Sequence, residues 1–156
     1  MPRLPPVAIL LGLASLLPLL ACAAGAVWLP EEKGAAYLAA LIAYGAVSLS
    51  FLGAVQWGFA LVVGPGRDAS RRLLLGTVPP ALAWLAWLAS VSTGPVSALV
   101  LLLLGFAGTL GVETSAWRHG RMPTGYMWLR WGLGIVWIGI LGAVTLVFLF
   151  RNNPIN

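Results

Sequence analysis

The chain has 156 residues, of which 60% are hydrophobic and 8% charged, and it carries a formal net charge of +5. So little charge cannot wet the surface of a water-soluble domain, which leaves a membrane protein. The single cysteine, Cys22, excludes an internal disulfide.

The first apolar segment covers 5–28. Arg3, the apolar run behind it and LLAC at 19–22 imitate a signal peptide with a lipidation site. Because the run continues through Trp28, a retained helix is expected. Further segments lie at 36–63, 72–91, 95–115 and 127–149. Each has the roughly 20 residues needed to cross a hydrocarbon core of about 30 Å. Breakers and charges fall in the short connections, at 30–34, 64–70, 93–95 and 118–125, so neighbouring helices should run antiparallel. The expected fold is all-α, an integral membrane bundle of five transmembrane helices forming a single domain over 1–156.

Basic residues set the expected orientation. Arg3, Arg67, Arg71, Arg72, Arg118, Arg121 and Arg130 fall at one face, Lys33 and Arg151 at the other. By the positive-inside rule the N-terminus is cytoplasmic and the C-terminus external. Arginine-rich, leader-free composition suggests a bacterial inner membrane as the location. The basic residues border apolar helices instead of forming a recognition surface, so anionic lipids are the expected partners and nucleic acid is not.

The second segment contains YGAVSLSFLGAVQWG from Tyr44. Tyr44, Ser48, Leu52 and Gln56 form one row at helical spacing, and Ala46, Ser50, Ala54 and Gly58 another. Small residues permit close helix approach and polar ones are costly against lipid, so both rows want protein neighbours. The third segment carries Pro79 and Pro80, which lack the amides that would bond the carbonyls of Leu75 and Gly76. Reflecting the chain about the intervening loop sets Gln56 at the depth of Pro79. Gln56 is therefore expected to donate to carbonyls freed at a proline kink, with a candidate ligand pocket beside it formed by Tyr44, Ser48, Gln56, Trp57, Pro79 and Trp84. The aromatic residues there would suit a flat apolar ligand such as a quinone or porphyrin, although packing is the commoner reason for such residues.

The same reflection about the last loop brings Glu113 beside Arg130. A structural ion pair is expected, with Arg118 as the competing partner. Trp28, Trp117, Trp128 and Trp131 suit the membrane interface. Gly105, Gly108 and Gly111, then Gly132, Gly139 and Gly142, suit close helix packing. His119, the only histidine, lies in a loop, so no metal site, haem ligand or other cofactor is expected, and no catalytic residue is assigned.

Three stretches, YGAVSLSFLGAVQWG, VPPALAWLAWL and GFAGTLGVETSAWRHGRMPTGYMWLR, resemble an uncharacterised family of small multi-spanning membrane proteins. It is a domain of unknown function numbered in the thirty-four-hundreds, similar also to animal transmembrane protein sixty-nine. The resemblance runs over about 35–132 and rests on Tyr44 to Ala46, Ser50 to Gly53, Trp57 with Gly58, and Leu129 with Arg130. Gln56 stands where the family pattern implies histidine, and Glu113 where it implies aspartate. The resemblance implies a fold and no established reaction.

The favoured functional reading is a non-enzymatic accessory, assembly or scaffold protein, packing laterally against a larger membrane complex or as a homo-oligomer. The alternative is a binding or transport protein for a small amphipathic molecule near Gln56 and Pro79. An enzyme is disfavoured because Glu113 is the only acid-base group near the bilayer interior.

Overall fold

The computed structural model describes residues 5–152, so Arg3 lies outside the described residues. They form helices joined by short turns, with no strand among them. The elements are α1 (Pro6–Ala14), α2 (Leu16–Trp28), α3 (Glu31–Val63), α4 (Arg67–Ser92), α5 (Pro95–Arg118) and α6 (Thr124–Asn152). Helices α1 and α2 make one span, and α3, α4, α5 and α6 make four more that are long and apolar enough to cross a membrane. Burial is inverted relative to a soluble bundle: Val62 is 86% exposed, whereas Glu113 is 0% exposed. Such a surface is stable against lipid and not against water.

The first span is broken where a single helix is expected. Pro18 cannot supply an amide to the turn before it. At the break, Ser15 Oγ bonds Gly12 O at 2.6 Å, and the Ser15 carbonyl accepts the Tyr44 hydroxyl at 2.6 Å. The tyrosine thus satisfies backbone at the break from across the bundle.

Helix α3 packs most extensively on α4 and also on α2 and α5. Its glycines set the distances. A methyl group at Gly53 would collide with Gly76 O and lie 2.7 Å from Pro80 Cδ, so α3 and α4 cross with their backbones in contact. Gly45 seats Leu102, and Gly105 seats Leu49, which fixes α3 against α5. Leu19, Leu41, Leu49, Leu99, Leu102 and Leu141 are fully buried in the core these contacts enclose.

The α5–α6 turn has a defined chemistry in the sequence RHGR. Gly120 takes φ +68°, its amide bonds Trp117 O at 2.8 Å, and the Arg121 amide bonds Ala116 O at 3.0 Å. This is a Schellman cap, which requires a left-handed residue and so favours glycine. Trp117, Trp128 and Trp131 cluster edge-to-face just beyond it, and Trp131 Nε1 donates to Thr114 Oγ1 at 2.9 Å.

Candidate binding site around Glu113

Glu113 is the centre of the polar interior. Arg130 Nε donates to its Oε2 at 2.5 Å. Tyr126 Oη donates to Oε1 at 3.1 Å, and Gln56 Nε2 donates to the same oxygen at 3.4 Å. Three helices therefore meet on one carboxylate: α3 through Gln56, α5 through Glu113 itself, and α6 through Tyr126 and Arg130. Arg130 is only 5% exposed, so the carboxylate compensates a charge that would otherwise be stranded. That compensation is incomplete, because Arg130 Nη2 finds no hydrogen-bond partner among the described residues. Tyr126 is held in turn by Phe59, whose ring meets it edge-on at 5.6 Å.

Gln56 does not staple the prolines. Helix α4 runs without interruption through Pro79 and Pro80, and among the described residues no side chain donates to the carbonyls of Leu75 or Gly76. Trp57 approaches this turn instead, with Nε1 donating to Leu73 O at 3.1 Å. Reflection about a loop estimates depth and says nothing of azimuth. On a helix of 3.6 residues per turn, Gln56 stands within roughly 20° of Gly45 and Leu49, the row that packs on α5. Its amide is thereby aimed at Glu113 and away from the prolines.

The six residues grouped as a ligand pocket are separated for a related reason. A row at spacing four turns by about 40° at each step, so Gln56 lies about 120° round α3 from Tyr44. Tyr44 and Ser48 line a cavity of about 490 Å³ between α3 and α6. Gln56 lines a smaller one on the α4–α5 side, and Trp57 a shallow hollow with Gly76 and Pro80. Pro79 is buried, and Trp84 is 63% exposed on the outer surface.

The cavity between α3 and α6 was not legible from those six residues. Among the described residues no Cα of α3 lies within 8 Å of one in α6, and the gap between the two helices is the cavity. Trp137 closes part of it, stacked on Phe106 at 4.5 Å and on Tyr44 at 5.5 Å. Ser15, Tyr44, Ser48, Tyr126 and Arg130 supply the polar part of the lining, while Leu52, Val55, Phe106 and Leu133 help make most of it apolar. Helix α1 borders the cavity through Ala8, Leu11 and Gly12 and buries none of its own residues. Nor does any described Cα of α1 lie within 8 Å of one in α3. Leu11, Val47 and Phe51, which line the cavity, are also exposed, so it opens sideways between these helices, where lipid lies.

Among the described residues no cluster of histidine, cysteine and carboxylate is suited to hold a metal. His119 sits exposed at the end of α5 with Nδ1 2.7 Å from Ser115 O. Arg118 is exposed, and the carboxylate of Glu113 is taken by Arg130.

These features define a polytopic helical membrane protein with a buried carboxylate–guanidinium centre beside a lipid-facing crevice. The chain belongs to the family described as "Protein of unknown function (DUF3429)", which matches residues 4–147. It is also similar to Transmembrane protein 69 of Xenopus tropicalis, with 40% identity over 107 residues that make up 66% of this chain. The chain spans 41% of the length of that relative. No solved structure matches it.

Proposed function

We propose that this protein binds a small amphipathic molecule with an acidic head in the crevice between α3 and α6. The observation that carries the reading is Arg130: a buried guanidinium with Nη2 unpartnered among the described residues, at the edge of a largely apolar cavity. An unpaired buried donor is costly, and an acidic or strongly hydrogen-bonding head would satisfy it. The rest of the molecule would lie along Leu52, Phe106 and Trp137. In this reading the clustered arginines at the α3–α4 and α5–α6 turns face the cytoplasm, as expected of a multi-pass component of a bacterial inner membrane.

The test is purification in mild detergent followed by mass spectrometry of extracted small molecules, comparing the native chain with Ser48→Trp, which fills the crevice. A near-stoichiometric acidic amphiphile should accompany the native protein and be depleted from the variant. Identical extracts from the two proteins would refute the reading.

A second reading, lateral packing against a larger complex or another copy, rests on a different observation. A methyl group at Gly108, Gly111, Gly132 or Gly139 would meet nothing within 4 Å, so α5 and α6 both present small outward positions suited to close helix approach. A stoichiometric protein in the same preparation, lost in Gly108→Leu/Gly111→Leu, is the outcome that favours it.

A further inference from the structure

Apart from the crevice, a cavity of about 120 Å³ lies between the start of α4 and the end of α5. It shares no lining residue with the crevice. Arg71, Arg72 and Arg121 line it, with Asp68 as the only carboxylate among its lining residues. Three cations against one anion leave an excess of two positive charges. The Asp68 carboxylate is mostly exposed and lies 3.8 Å from Arg121, so it does little to neutralise the others.

Arg72 is the unusual member. It is 9% exposed, and its Nη2 donates to Arg121 O at 2.7 Å, the carbonyl presented by the Schellman turn. Its guanidinium carbon lies 5.7 Å from the centre of the Phe59 ring. Both contacts orient the fork, yet Nη1 is buried with no partner among the described residues. A buried arginine stands here with no described carboxylate to meet it. A planar fork held on one edge and free on the other is the arrangement that takes a tetrahedral oxyanion. The cavity has about four times the roughly 30 Å³ share of a water in the liquid, enough for such a group.

We propose that Arg72, with Arg71 and Arg121, forms a phosphate-binding site at the α4–α5 end of the bundle. The group recognised is a phosphate, carried either on an anionic lipid head or on a soluble molecule. Arg72 supplies the buried, pre-oriented donors, and Arg71 and Arg121 supply charge at the mouth. The site stands independently of any ligand in the crevice.

The experiment measures thermal unfolding of the full chain in neutral detergent. One arm adds inorganic phosphate against sodium chloride at equal ionic strength; the other adds short-chain phosphatidylglycerol against phosphatidylcholine of the same chain length. A rise of a few degrees in melting temperature is expected in at least one arm. Stabilisation by phosphatidylglycerol alone assigns a lipid head, and stabilisation by inorganic phosphate assigns a soluble phosphate. The rise should vanish in Arg72→Gln and shrink in Arg71→Gln, whose exposed side chain can be changed without loss of the fold. No stabilisation in either arm, or a native response in Arg71→Gln, overturns the proposal.

Discussion

Arg130 Nε lies 2.5 Å from Glu113 Oε2, joining α6 to α5 through two side chains that are both buried. Removing either partner leaves the other as an uncompensated buried charge, which costs about 3–5 kcal/mol. Glu113→Gln and Arg130→Gln should each lower stability in detergent by an amount in that range. The double variant should lose less than the sum, with a coupling of about 1–3 kcal/mol. Chemical denaturation of all four proteins measures it, and additive losses would show that the pair does not act as a unit.

Gln56 is expected to couple to Glu113 and not to the prolines. Gln56→Leu should cost about 1 kcal/mol, the usual scale of an interhelical hydrogen bond in a membrane. Gln56→Glu should cost more, because it sets a second carboxylate against the first. A cycle pairing Gln56→Leu with Glu113→Gln should be non-additive, whereas one pairing it with Pro79→Ala should add. The reverse pattern would restore the proline-stapling expectation.

The glycines of α3 make a sharper contrast. A methyl group at Gly53 collides with Gly76 O, while one at Gly58 meets nothing within 4 Å. Gly53→Ala should destabilise by roughly 1–3 kcal/mol through overpacking. Gly58→Ala should be neutral or stabilising, since alanine is the better helix former by about 1 kcal/mol. Melting temperatures of the two variants settle the order.

Orientation can be read by labelling. In a Cys22→Ala background, Glu32→Cys should react with an impermeant maleimide applied outside intact cells, and Asp68→Cys only after permeabilisation. Equal reactivity from outside would overturn the cytoplasmic placement of the arginine-rich turns.

Much of the fold was legible because apolar length is a strong signal and the turns carry glycine, proline and charge. The helix ends were less so. Helix α3 begins at Glu31, ahead of its apolar window, and α4 at Arg67, because acidic residues in a first turn favour the helix dipole and a helix does not stop where hydropathy does. At the polar centre, the adjacency of Glu113 and Arg130 follows from a hairpin with a short turn, since both lie near the same membrane edge. Tyr126 and Gln56 needed azimuth, which a reflection of the sequence lacks. The crevice had no sequence signature, for it is made where the backbones of α3 and α6 stand apart and meet through aromatic side chains. A gap between two helices leaves no periodic mark on either.

The backbone crossing at Gly53 and Gly76 has a mechanical consequence. Where two helices meet through main-chain atoms there is no side-chain layer to shear, so α3 and α4 are expected to resist sliding at this crossing. Helix α1 has no such anchorage: among the described residues its contacts are with α2 and α6 only, and Gly12 meets α6 through the flexible ends of Leu129 and Leu133. Compliance is thus concentrated on one flank. A deformation that widens the space beside Arg130 is therefore expected to move α1 before it disturbs the α3–α4 crossing.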